Sequence, residues 1–301
     1  TATPNSTQTV KAINTDSTLT RAVADIEITY GAGQNLQVIL PGETAEPGEW
    51  SGSPSPLADP PFGKDGTPEN QTAGEEFTVT ARLVDDYWNV KVDSQVSVNL
   101  NTSNIYGDIA VNPVTINGQG TFRITNYTAW FGNSKATHTL TASASGWASY
   151  TSSEYKIDPA SGTKLQILLP GEEAAPGKCA QSPGAAAPFG KDGNAAAQIA
   201  GSTFSVTVNA VDEFWNLQKS SNPVVKITAQ EDSDYAAEPA KTLLSGSATF
   251  WAVLNDAMND PWNITASTDS GEKLRSDTSS DIDVEVGEPV KLQVLLPGES
   301  P

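Results

Sequence analysis

The chain has 301 residues, of which 36 are acidic and 17 basic, giving a formal charge of -19, and it holds one cysteine, one methionine and one histidine. That charge repels nucleic acid and anionic membrane surfaces, and a lone Cys179 cannot close an internal disulfide. No run is long and apolar enough to cross a bilayer, so no membrane insertion is expected in this segment, and the Thr-, Ser-, Asn-, Gly- and Pro-rich composition points to an extracellular or cell-surface all-β protein.

Residues 1–35 read as the last strands of an upstream domain. Thr9-Val10-Lys11-Ala12 is similar to Thr139-Leu140-Thr141-Ala142, and Ile26-Glu27-Ile28 precedes Leu36 as Tyr155-Lys156-Ile157 precedes Leu165. The next element, Leu36-Gln37-Val38-Ile39-Leu40-Pro41-Gly42-Glu43, returns from Leu165 and again from Leu292. Leu36 to Leu165 is 129 residues and Leu165 to Leu292 is 127, a domain-sized period rather than a short solenoid turn. Each copy is an aliphatic strand stopped by Pro-Gly. The expected organisation is therefore one domain over 36–164, a second over 165–291, and the first strand of a following repeat over 292–301.

After Leu40 come about 30 residues without periodicity, a length at which loops are usually functional, packed or disordered. Both copies of this loop keep Pro-Phe-Gly-Lys-Asp-Gly, at 61–66 and 188–193, so an ordered loop is expected. Phe77, Val79, Ala81 and Leu83 alternate with polar residues, as do Phe204, Val206, Val208 and Ala210 in the second copy; a period of two is a half-buried strand. Val84-Asp85-Asp86-Tyr87-Trp88-Asn89 and Val211-Asp212-Glu213-Phe214-Trp215-Asn216 then supply turn chemistry. Further strands are expected around Val96–Leu100, Gly120–Phe122, His138–Ser143 and Tyr155–Ile157, with Val225–Ile227, Ser247–Trp251 and Trp262–Ser267 in the second copy. That makes about seven strands per repeat, the number of an immunoglobulin-like sandwich. No stretch carries a helical stripe.

The order Phe-x-Val-x-Ala/Val, Val-Asp-x-x-x-Asn, then Gly-x-x-Thr-Phe or its counterpart and Leu/Ile-Thr-Ala-Ser resembles the bacterial immunoglobulin-like repeats of invasin-type adhesins and other large surface proteins. The resemblance covers both full repeats and reaches both ends through their strands. It implies tandem β-sandwiches, a stalk, fibre or adhesin segment outside the cell, and no enzymatic activity. Two departures stand out. Trp88 and Trp215 sit where that class has Gly before Asn, and the long loops bearing Phe62 and Phe189 are not standard. An exposed Trp at a hairpin tip is costly, so Trp88 is expected to pack on the Pro and Phe of the loop and fold it onto the sandwich.

Candidate chemistry is thin. His138 has no counterpart in the second copy and reads as a strand-edge surface histidine, and Gly184–Asp192 lacks both the spacing and the hydroxyl residue of a phosphate loop. The adjacent carboxylates at the turns point apart and do not straddle a substrate. The metal candidates are Asp85, Asp86 and Asn89 with Asp212, Glu213 and Asn216, which offer oxygens of the kind calcium takes; the competing reading is a turn in which Asp bonds local backbone N–H groups. No other cofactor is implied. Five Asn-x-Ser/Thr sequons, at Asn5, Asn70, Asn101, Asn126 and Asn263, are glycosylation candidates if exposed. Expected partners are adjacent repeats, neighbouring subunits through the terminal strands, and a cell-surface or glycan target. The alternatives to a stalk are a filament subunit joined by strand complementation and accessory or carbohydrate-binding modules of a secreted enzyme.

Overall fold

The computed structural model describes residues 6–12, 22–49, 62–129, 137–229, 238–257 and 262–298. None of them is helical; the chain is all-β. It divides into two compact units, Thr1–Asp158 with Gln181–Ala185, and Pro159–Ala180 with Ala186–Pro301.

Unit 2 shows the sandwich most simply. The leading strand Lys164–Leu168 pairs antiparallel with the long strand Thr203–Val211, which pairs on its other side with Ser247–Val253. The second sheet runs Lys241–Thr242, Val224–Ala229, Ile264–Ser270, Asp277–Thr278. Alternation does the rest: Leu165, Ile167, Phe204, Val206, Val208, Phe250 and Ala252 face Val225, Ile227, Ile264 and Ala266 in one core. These side chains are 6% exposed or less. Removing such residues from water is the main stabilising term, about 1.5–3 kcal/mol per large aliphatic or aromatic side chain.

Unit 1 repeats the plan. Asn35–Ile39 pairs antiparallel with Glu76–Val84, which pairs with Gln119–Thr125. Gln95–Thr102 pairs with Leu140–Ser143 and with Val114–Asn117, and the tight link from Asn117 to Gln119 joins the two layers into one path. Leu36, Val38, Val79, Phe122, Val98, Leu100 and Leu140 fill the core at 2% exposure or less. The leading strands are also held at their other edge: Leu36 N donates to Ala148 O at 3.2 Å, and Leu165 N to Arg275 O at 2.9 Å.

Ser6–Ala12 and Ala22–Ile28 form an antiparallel pair in a two-stranded sheet of their own. At the other end Val284–Glu285 is the last strand among the described residues, and 287–298 holds none. Leu292 and Val294 are 101% and 83% exposed, whereas their counterparts Leu36, Val38, Leu165 and Ile167 are at most 1%. The same sequence is a strand only where a ladder partner lies beside it.

His138 corrects the sequence reading. It is 7% exposed, not a surface residue; its Nε2 lies 3.3 Å from Asn104 Nδ2 and its ring leans on Tyr155. Burial holds its pKa below the usual histidine value, against a smaller upward pull from the Thr128 backbone.

Candidate functional site

The long loops begin and end in a short hairpin built from the two recurring motifs. In unit 1 the Glu of Pro-Gly-Glu starts Glu43–Ala45 and the Lys of the hexapeptide starts Lys64–Gly66; the two pair antiparallel. Glu172–Ala174 and Lys191–Gly193 do the same in unit 2. Within each hairpin the two charges meet: Lys64 Nζ is 2.8 Å from Glu43 Oε1, with side chains 2% and 1% exposed, and Lys191 Nζ is 2.9 Å from Glu172 Oε1, with side chains 13% and 2% exposed. The second oxygen of each Glu turns back on the leading strand, accepting from Leu40 N and Leu169 N at 2.9 Å. One Glu thus ties loop start, loop end and strand together. That is the physical reason Glu43 and Lys64 recur as Glu172 and Lys191.

A glycine and a tryptophan complete the staple. Gly63 and Gly190 have φ of +82° and +78°, and a Cβ at either would fall 2.2–2.3 Å from the indole of Trp88 or Trp215. Trp88 therefore packs on the loop at Gly63, the residue after Phe62. The glycine carbonyls accept from Gln37 Nε2 at 2.8 Å and Gln166 Nε2 at 2.6 Å. Trp88 and Trp215 themselves adopt φ of 64° and 69°. That is the left-handed backbone that glycine favours, adopted at a cost of about 1–2 kcal/mol that ring packing must offset. Trp88 stacks edge-on to Tyr150 at 5.9 Å, and Lys164 Nζ lies 3.5 Å from the Trp215 ring centroid. Burial, first, lowers the Lys164 pKa, partly offset by Glu213.

The acidic turns sit beside these staples and resolve as the hydrogen-bonded alternative. Asp85 Oδ1 accepts from Tyr87 N at 2.8 Å and Asn89 N at 2.9 Å, and Oδ2 from Gly31 N at 2.5 Å. Asp212 repeats this with Phe214 N, Asn216 N and Ala160 N at 2.8–2.9 Å. Asn89 and Asn216 also turn their amide nitrogens to the same carboxylates. Burial pushes the Asp212 pKa up and these donors pull it back without restoring the usual value. Asp86 and Glu213 are exposed and point elsewhere, Asp86 to Asn35 Nδ2 at 2.9 Å and Glu213 to Arg275 at 2.6 Å. Calcium takes six to eight oxygens; here the buried carboxylates are ringed by N–H donors, so the six residues do not fit that ion. Among the described residues Asn89 Oδ1 is left as the one buried side-chain acceptor with no hydrogen-bond partner.

The sequons divide by burial. Asn70 and Asn101 are exposed and Asn263 is half-buried. Asn126 is 0% exposed and donates to the Tyr155 hydroxyl at 2.8 Å, which removes it as a glycosylation site because its nitrogen is unreachable in the folded domain. Asn5 lies outside the described residues. Unit 1 also has an open cleft of about 380 Å³ lined by Asn101, Thr102, Asn104, Ile105, Ile109 and Asn112. Its inner amides are committed: Asn104 donates to Thr128 O, and Asn112 closes a two-way bond with Leu100. Among the described residues no group of three or more His, Cys, Asp or Glu is placed to hold a metal ion.

Fold and staples define a pair of β-sandwich units built on one plan. No family model and no curated protein matches the chain. Among solved structures it is similar to the Yersinia pseudotuberculosis adhesin InvE, at 17% identity and a TM-score of 0.28, over 72% of this chain and 56% of InvE. It is similar to the Escherichia coli adhesin FdeC at 11% identity and a TM-score of 0.34, over 88% of this chain and 68% of FdeC. Bacteroides uniformis β-glucuronidase 3 matches at 10% identity and a TM-score of 0.27, over 70% of this chain and 24% of the enzyme. An adhesin and a glycosidase stand side by side at such distances, so these likenesses carry no argument about activity.

Proposed function

We propose that this chain is a non-enzymatic structural or adhesive segment of a large bacterial extracellular or cell-surface protein, in which sandwich domains of one design follow one another as a stalk or fibre. The observation that carries the reading is the staple, made from corresponding residues in both units, Glu43–Lys64–Gly63–Trp88 and Glu172–Lys191–Gly190–Trp215. What recurs is the set that fixes the loop on the sandwich, and no set of reactive groups recurs with it. Such conservation of mechanics suits spacing and display. Adjacent domains are the first partners in this reading, with the Leu292–Leu296 segment as the opening strand of another. The test is the intact mass and negative-stain image of the protein isolated from its source. A chain much longer than 31.6 kDa, carrying the Leu-Gln-Val/Ile-Leu/Ile-Leu-Pro-Gly-Glu motif at domain-sized intervals, is expected.

The exposed Leu292 and Val294 favour a second reading, a filament subunit whose terminal strand enters a neighbour. A 31.6 kDa species in ordered filaments would replace the first reading with this one.

A further inference from the structure

The staples are shared by the two units; one surface is not. In unit 2 the long strand and Ser247–Val253 pair Thr203 with Val253, Ser205 with Trp251, and Thr207 with Thr249. Directly opposed residues share a face, and this is the face turned away from Phe204, Val206, Phe250 and Ala252 in the core. Trp251 is 55% exposed there. Thr203 and Thr249 are exposed beside it, and Ser205, Thr207 and Val253 are half-buried. Its strand position is fixed, since Trp251 N donates to Glu238 Oε2 at 2.6 Å and Glu238 is neutralised by Lys241 at 2.5 Å.

At the corresponding register unit 1 pairs Arg123 with Thr78, and Arg123 reaches Glu76 at 3.5 Å. The fold therefore accepts a solvated ion pair at this place. Nothing in the sandwich requires an indole at this register, and Trp251 leaves about half of its surface to solvent.

We propose that this face of unit 2 binds a neutral glycan, with Trp251 as the platform on which a pyranose ring stacks. The inference rests on the extracellular display reading and gives it a target. A pyranose presents an apolar C–H face bounded by hydroxyls; an exposed indole bordered by Thr203, Ser205, Thr207 and Thr249 offers the matching ring and the matching donors and acceptors. Those four side chains carry no charge, and the charges that border them, Glu238 and Lys241, are paired with each other, so in a chain of -19 the face gives no net hold to polyanionic or cationic polysaccharides.

The test is affinity electrophoresis of the full chain through gels containing a mixed-linkage β-glucan, a xylan, a galactomannan or amylose, with polygalacturonate as the charged control. Retardation by at least one neutral polymer and not by the control is expected. Trp251→Arg, the side chain unit 1 carries at this register, should weaken it about tenfold or more, Trp251→Tyr should keep most of it, and Arg123→Ala should leave it unchanged. Migration unaffected by every neutral polymer, or equal retardation of the Trp251→Arg chain, overturns the proposal. Either result leaves the tandem-array reading intact, because the mass of the source protein decides that separately.

Discussion

The two staples share four residues and differ in the fifth. In unit 1 the position paired with Ala142 is Tyr150, whose ring packs under Trp88 and faces Lys64 Nζ at 5.5 Å. In unit 2 the position paired with Ala266 is Asp277, which accepts from Ile167 N at 2.8 Å. One staple thus closes on an aromatic ring and the other on a carboxylate. Loop attachment tolerates either, because the Lys–Glu pair and the Gly–Trp contact already fix the geometry; what changes is how the unit responds to pH. Burial beside Glu43 pushes the Tyr150 hydroxyl up to about 12, so it stays neutral throughout the physiological range. Asp277 is raised by burial, with Ile167 N and the Lys191 charge pulling it back only in part. Burial also works on Glu172, but Lys191, Ser280 and Leu169 N outweigh it and hold that carboxyl below its usual value.

The largest expected effect is at the ion pairs. Glu43→Ala strands the Lys64 ammonium at a site where its side chain is 2% exposed, and a loss of about 3–5 kcal/mol is expected in the urea unfolding of unit 1. Glu172→Ala should cost unit 2 less, since Asp277 still faces Lys191. Equal losses would show that the fifth residue carries no electrostatic weight.

Next come the glycines. Gly63→Ala forces a methyl into the Trp88 ring at a positive φ and should destabilise the loop by about 2 kcal/mol or more, read as rapid tryptic cleavage after Lys64. Trp88→Ala should open the same bond to trypsin by removing the ring that presses on Gly63. If cleavage after Lys64 stays slow in the Trp88→Ala chain, the ion pair alone holds the loop.

The pH response is smaller and has a sign. Glu172 has a depressed pKa, so its contribution is full above the unfolded carboxylate value and is lost as pH falls through the folded one. Asp277 and Asp212 have raised pKa values, so theirs is present below the unfolded value and lost as pH rises through the folded one. Asp277→Asn should therefore stabilise unit 2 at pH 7 and do so less near pH 4, whereas Glu172→Gln should destabilise it at pH 7 and less in acid. Melting curves at the two pH values check both. The smallest effect is on modification: secreted from a glycosylating host, the folded chain should carry glycan at Asn70 or Asn101 and none at Asn126, as peptide mass spectrometry would read.

Much of this was legible in the residues. Alternation of Phe77, Val79, Ala81 and Leu83 marked a half-buried strand, because a side-chain period of two leaves one face to bury, and the domain-length return of Leu-Gln-Val/Ile pointed to domain-sized repeats. The recurring Lys-Asp-Gly and Pro-Gly-Glu pointed to an ordered loop without revealing that Lys and Glu are each other's partner, since about 20 residues lie between them and a buried charge is recognised only once its counter-ion is in view. The choice at Asp85 and Asp212 between cation and backbone donors also needed coordinates: oxygen-rich residues are common to both, and only the direction of the surrounding N–H groups separates them. Asn126 and His138 looked like surface residues because polarity is a one-letter property, whereas burial depends on which strands fold over them. The exposure of Trp251 belongs with these. Sequence marks it as aromatic on a strand, and only the pairing of Ser205 with Trp251 shows it turned outward, away from the core.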